Sequence, residues 1–195
     1  MYSLRSYLSA VLLALTSFGA VNSRETALKT NLLYDATATV NIGLEQAIAP
    51  KWSIDLSGNL NAWNMHDGAR WKHWLVQPEA RYWFCQALDG HFLAAHLVGG
   101  QYNVGSWTDG GLWNIKSAKL ANNRYQGWFV GAGIGYGYSW MLAKHWNLEA
   151  EIAVGYAYSH YDRFECEECG REIESKRNHH YVGPTKAAIS LVYVF

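Results

Sequence analysis

Three prolines, three cysteines and three methionines are all that the 195 residues contain, and neither sign of charge prevails, with 16 basic and 16 acidic side chains. Balanced charge leaves no electrostatic footprint for nucleic acid, which argues against that class of partner. Beyond the first two dozen residues there is no apolar run of the ~20 residues that a membrane-spanning helix needs. No Ser-His-Asp spacing, phosphate-binding glycine loop or H-E-x-x-H occurs, so no motif for hydrolysis, nucleotide binding or zinc catalysis is on offer. Scarcity of proline leaves long stretches free to pair as strands.

Aromatics and glycine are plentiful: 10 Trp, 13 Tyr, 6 Phe and 18 Gly. That combination suits a many-stranded antiparallel sheet better than a helical bundle. The opening stretch, "MYSLRSYLSAVLLALTSFGAVNS", has Arg5, then an apolar run from Tyr7 to about Leu15, then small residues. It reads as a secretion signal over residues 1–23, removed after Ser23, with the mature domain at 24–195. No cysteine follows the apolar run, which argues against a lipid-anchored lipoprotein.

The mature sequence alternates with a period of two, the signature of strands with one apolar and one polar face. In "WSIDLSGNLNAW", Trp52, Ile54, Leu56, Leu60 and Ala62 share one face, and Ser53, Asp55, Ser57, Asn59 and Asn61 the other. The same rule separates Trp146, Leu148, Ala150, Ile152 and Val154 from Asn147, Glu149 and Glu151. It also separates Trp128, Val130, Ile134, Tyr136 and Trp140 from a column of glycines at 131, 133, 135 and 137. That column leaves room for larger inward neighbours such as Arg81 or Trp83. Pro78, lacking a ladder donor, is expected to mark a bulge or a weak point.

Connections alternate between short ("APK", "CQALDG", "AKH") and long (Asn64 to Arg70, Gly105 to Asn123, Asp162 to Asn178). Eight strands follow, at about 27–34, 37–48, 52–63, 72–84, 91–103, 125–142, 146–160 and 180–195, with "DATA" as a tight turn. The fold expected is all-β: an eight-stranded antiparallel up-and-down transmembrane β-barrel of outer-membrane type, with short periplasmic turns and longer extracellular loops. Charges at mid-strand lie opposite the apolar face. Aromatics gather at its ends: Trp52, Phe84, Trp140, Trp146 and Tyr193 towards the short turns, Trp71, Trp74, Trp128 and Tyr158 towards the long loops. Two such belts favour lipid outside and polar groups inside, the reverse of a soluble ligand-carrying barrel.

Five strings, "LKTNLLYDATATVNIGLE", "KHWLVQPEARYWF", "GHFLAAHLVGGQYN", "RYQGWFVGAGIGYGY" and "WNLEAEIAVGYAY", together with "GPTKAAISLVYVF", are spread along nearly the whole mature chain. They resemble the Bacteroidota outer-membrane family catalogued as domain of unknown function 3575. The resemblance implies a small barrel in the outer membrane of a Gram-negative Bacteroidota cell, often near surface or fimbrial genes. It implies no activity and no catalytic residue.

Several residue groups are candidates for a role. Glu45, Asp55, Glu79, Arg81, Glu149, Glu151 and Lys186 share the interior parity and read as a polar network filling the lumen, the alternative being an ion path or a paired-carboxylate site. Cys166 and Cys169 form a C-x-x-C in the last long loop. A local disulfide is the first reading, with free thiols, a weak zinc site completed by His179 and His180, and redox chemistry also open. Cys85 reads as a spare thiol near a short turn. Ser159 and His160, adjacent in sequence, point to opposite faces and make a poor catalytic pair. Trp107, Trp113, Lys116 and Lys119 make the loop after the fifth strand the candidate contact surface for a surface protein, a fimbrial protein or a glycan, the alternatives being interfacial anchoring by the tryptophans and contact of the lysines with anionic outer-leaflet lipid. Tyr193 and Phe195, at the end of the last strand, resemble the signal read by the barrel assembly machinery. The expectation is a monomeric, non-enzymatic structural or surface-interaction protein of the cell outer membrane, in contact with outer-membrane lipid, without cofactor or metal. A narrow transport channel is the alternative, and a lipid-modifying enzyme the third reading.

Overall fold

A computed structural model of the chain describes residues 26–63, 70–105, 123–165 and 172–195. The alternating stretches form β1 (Thr26–Asn31), β2 (Val40–Ala49), β3 (Trp52–Asn61), β4 (Arg70–Trp83), β5 (Gly90–Gly105), β6 (Asn123–Ala143), β7 (Trp146–Glu165) and β8 (Glu172–Val194). Each pairs antiparallel with its sequence neighbours, and β1 pairs with β8, so a single sheet closes into a ring. Side chains of one parity fill the interior and those of the other form the outer surface. Among the described residues no helix is long and apolar enough to cross a membrane.

The ring is uneven. β1 has 6 residues, whereas β8 has 23. Their seam runs from Ala27 against Val194 to Asn31 against Ser190. Above Ser190, β8 pairs with β7 alone among the described strands. The expected first strand stops early because Asn31 starts a helical turn, α1 (Leu32–Ala36), and its side chain accepts from the Leu33 amide at 3.1 Å. Asp35 then ties the turn down, accepting from Thr30 Oγ1 at 2.8 Å and Asn41 Nδ2 at 2.7 Å. Where a tight turn was expected, short polar side chains capture the backbone and build a helical one.

Pro78 causes no bulge. The β4–β5 register is the same on both sides of it, with Val76 opposite Gly99 and Glu79 opposite His96. The bulge sits at the other strand proline: Ala153 faces Lys186 while Val154 faces Pro184, leaving Thr185 as the extra residue. That insertion switches the parity of β8 and turns Lys186 inward. Trp71 also departs from the expected outer belt, since it shares the parity of inward-facing His73 and not that of Trp74.

At the short-turn end the interior is apolar. Ala27, Ala47, Trp83, Ala87, Leu88, Phe92, Ala94 and Val192 pack together, and the 84–89 connection folds inward to place Leu88 there. Asn147 Nδ2 and Ser139 Oγ hold the Leu88 carbonyl at 2.9 and 3.3 Å. The glycines of β6 make room for this filling, but for different neighbours than expected. A Cβ on Gly137 would stand 2.2 Å from Phe92 Cζ, one on Gly135 3.0 Å from Glu151 Oε1, and one on Gly133 2.7 Å from His96 Cε1. Arg81 and Trp83 benefit only through Phe92, which lies under the Arg81 guanidinium at 4.5 Å and beside the Trp83 ring at 4.6 Å.

Gly137→Ala should therefore destabilise the folded protein by about 1–3 kcal/mol through overpacking, read as a lower urea midpoint of tryptophan fluorescence in detergent. Adding Phe92→Leu should return part of the loss. An unchanged midpoint for the single variant would show that Phe92 does not depend on the glycine.

Candidate functional site

The interior parity brings together charged side chains from six of the eight strands. Glu45 comes from β2, Asp55 from β3, Glu79 and Arg81 from β4, Glu149 and Glu151 from β7, Lys186 from β8, and Lys29 from β1. All seven residues named from the alternation converge; Lys29 completes the set. Arg81, 1% exposed, is the hub. Its Nη1 donates to Glu45 Oε2 at 3.0 Å and Glu149 Oε1 at 2.9 Å, its Nη2 to Glu151 Oε2 at 2.8 Å, and its Nε to Glu79 Oε1 at 2.5 Å. Asp55 Oδ2 lies 3.6 Å from Nη2. Lys29 pairs with Glu45, with Glu149 at 3.1 Å and with Asp55 at 3.3 Å. Lys186 bridges Glu79 Oε2 at 2.7 Å and Glu151 Oε2 at 2.9 Å.

Three bases thus hold five carboxylates, leaving a formal surplus of two negative charges in a buried layer. A polar relay joins this layer to the apolar floor: Trp83 Nε1 donates to Ser53 Oγ at 2.8 Å, and Ser53 donates to Glu45. On the long-loop side lies a cavity of about 40 Å³ lined in part by Lys29, Tyr34, Asp55, Gln77 and Lys186. It has room for a few water molecules. Asp55 Oδ1 and Gln77 Nε2, on residues that line it, have no hydrogen-bond partner in the protein, and neither do Glu151 Oε1, the two ring nitrogens of His96 or Thr185 Oγ1, though His96 Nδ1 stands 3.9 Å from Glu79 Oε2. Buried acids bound to several cations each are shaped to hold strands together, and Trp83, Leu88 and Phe92 pack into the floor beneath them.

Two contributors escaped the sequence reading. Lys29 lies in "ALKTNLLY", where Ala27, Lys29 and Asn31 do alternate with Leu28 and Thr30, so its parity was available. His96 was hidden because both faces of "HFLAAHLV" are apolar.

The other candidates fare differently. Cys166, Cys169, Trp107, Trp113, Lys116, Lys119 and the signal at 1–23 lie outside the described residues. His179 and His180 cannot jointly complete a zinc site with those cysteines, because adjacent strand residues face opposite ways. His180 also accepts or donates at 2.5 Å to Tyr156 OH on the outer surface. Ser159 and His160 are likewise divided: Ser159 meets Tyr102 OH at 2.7 Å, and His160 meets Asn178 Oδ1 at 2.7 Å. Cys85 is an exposed free thiol at the short-turn end. Among the described residues no three His, Cys, Asp or Glu side chains form a group able to hold a metal ion. Tyr193 packs edge-on against Trp146 at 5.0 Å and Phe195 at 5.1 Å, and the Phe195 amide donates to the Thr26 carbonyl at 2.9 Å across the seam.

Arg81→Ala should cost on the order of 3–5 kcal/mol, because it strands several buried carboxylates at once. Urea unfolding in detergent measures it. Arg81→Lys should fall between, since one ammonium cannot span the same set of acids. A wild-type midpoint for the alanine variant would mean that the cluster does not hold the sheet together.

No curated protein and no solved structure matches the chain. A family model does, described as a protein of unknown function (DUF3575), and it matches residues 8–195. With nearly the whole length matched, the chain belongs to the DUF3575 family.

Proposed function

We propose that this protein is a small outer-membrane β-barrel of a Gram-negative, Bacteroidota-type envelope, non-enzymatic, with a filled lumen that makes it rigid and a long-loop end that meets a surface partner. The observation that carries the reading is its inverted polarity. Leu28, Ile42, Ile54, Leu97, Ile134, Ile152, Val154 and Val182 are exposed on the outside, while Glu45, Asp55, Glu79, Arg81 and Glu149 are buried inside. A water-soluble protein rarely leaves so large a contiguous apolar surface uncovered. No Asp, Glu, Lys or Arg of β6 or β7 stands on the outer face between the levels of Trp140 and Trp128.

The dimensions agree. From Trp140 to Trp128, β6 advances twelve residues, about 40 Å along the strand at ~3.3 Å each and about 30 Å across a bilayer once tilted by ~40°. Aromatic clusters mark both levels: Trp146, Tyr193 and Phe195 with Tyr138 and Trp140 at one, Trp128, Tyr158 and His180 at the other. Interfacial rings of this kind anchor barrels at headgroup depth. Since five carboxylates and three cations pack beside one another in the interior and Trp83 and Phe92 are fully buried beneath them, the reading favours a plug over a channel.

Two measurements test this. On a sucrose gradient the protein should sediment with outer-membrane markers and run as a compact band on unheated gels; a soluble periplasmic fraction would refute the location. In planar bilayers the purified protein should give no steady conductance, and reproducible unitary currents would replace the plug with a narrow channel.

A further inference from the structure

Just beyond the Trp128 level, the outer surface changes character. The register aligns Leu60, Trp74, Gln101, Trp128 and His160 in one row running straight across β3 to β7. The next outward row towards the loops is Lys72, Asn103, Gln126 and Asp162. Together with neighbouring backbone they line a groove of about 490 Å³, within the ~300–1,000 Å³ range of small-ligand sites.

The first row alternates flat apolar plates with hydrogen-bonding groups. Trp74 and Trp128 are two strands apart, about 10 Å at ~4.8 Å per strand, and both are about half exposed. Gln101 stands between them and accepts from Trp74 Nε1 at 3.1 Å, which leaves its amide NH₂ as a donor. Trp128 is braced by the Tyr158 and His160 rings at 5.7 and 5.9 Å. The second row is amide in the middle, with a cation at one end and a carboxylate at the other. Side-chain amides donate and accept at once, as vicinal hydroxyls require of a partner, while the indole faces suit the C–H faces of a sugar ring. An acyl chain would leave the amide row unsatisfied, and one lysine balanced by one aspartate gives no purchase on a polyphosphate.

We infer that this groove binds saccharide, and that in place it takes the sugar headgroup of an outer-leaflet glycolipid. The second half of this rests on the outer-membrane reading above, because the groove adjoins the apolar band: one row towards the short turns the outward residues are Val76, Gly99, Val130 and Tyr158. A headgroup anchored by its own acyl chains in the lipid is thereby presented to the amides at the right height.

The full-length protein in detergent is titrated calorimetrically with delipidated lipopolysaccharide core oligosaccharide, then with intact rough lipopolysaccharide, then with phosphatidylethanolamine. Wild type should bind the oligosaccharide and the intact glycolipid, and phosphatidylethanolamine should give no saturable heat. The double variant Gln101→Ala, Gln126→Ala should bind the oligosaccharide at least about tenfold more weakly, the loss expected for two hydrogen-bonding groups, while keeping the compact band on unheated gels. Oligosaccharide that fails to bind wild type, or binds the double variant equally well, overturns the inference and leaves the tryptophans as interfacial anchors. Failure of the outer-membrane reading would register separately, in the sucrose gradient, because the oligosaccharide titration needs no membrane.

Discussion

The guanidinium of Arg81 is the point on which the rest of the structure turns. Through one planar group it meets Glu45 of β2, Glu79 of its own strand and Glu149 and Glu151 of β7, with Asp55 of β3 at 3.6 Å. In sequence those partners lie up to 70 residues away, and around the ring β7 stands nearly opposite β4. Lys29 and Lys186 extend the same network to the two strands that close the seam. Backbone ladders join only adjacent strands; this cluster joins strands that never touch. It also fixes register, because a slip of one residue in any of the six contributing strands would move its charged side chain from the cluster to the outer surface. Buried ions are costly to desolvate, and their attraction need not exceed that cost. Their more dependable effect is on the alternatives, since a misregistered sheet leaves an unpaired charge in a dry interior.

An interior of this kind dictates what the exterior is. With the charges turned inward, Leu, Ile, Val, Trp and Tyr are left to face outward, and it is this apolar surface that supports the outer-membrane reading proposed above. The same filling closes the short-turn end: Trp83, Phe92 and Leu88 occupy the floor, and the Ser53 relay couples that floor to the charged layer. Selection for a wide aqueous passage would not leave Phe92 packed into the space vacated by Gly137.

Period-two alternation carried most of this architecture into the sequence. Because most strands have one apolar face and one polar, charged or glycine-lined face, the eight strands, their antiparallel order and the inward set of seven charged residues could all be read from it. The failures have local causes. Lys29 sits in a strand too short for its alternation to stand out beside the apolar Leu32 and Leu33. α1 replaces a tight turn because Asn31, Asp35 and Asn41 bond to one another across the chain, which no periodicity reports. A proline in a strand signals a lost donor but not whether the partner must bulge, so Pro78 leaves the register intact while Pro184 shifts it. The occupants of the space above the β6 glycines depend on which residues lie opposite, and Phe92 could be placed there only once the β5–β6 register was known.

The uneven strand lengths separate what the molecule needs for stability from what it can use for recognition. The cluster and its floor lie in the part of the ring that all eight strands share, down to the seam at Ala27 and Val194. Only β4 to β8 rise well past it, with β6, β7 and β8 at 20 residues or more. Along that taller wall the ladder between β6 and β7 continues to Asn123 opposite Glu165, so side chains there are held by backbone pairing and not by the charged core. Outward positions such as Gln101, Asn103 and Gln126 can therefore change identity without disturbing Arg81 or the glycines beneath it. A lower half held by the charged cluster thus leaves the taller wall able to carry different outward side chains without loss of the fold.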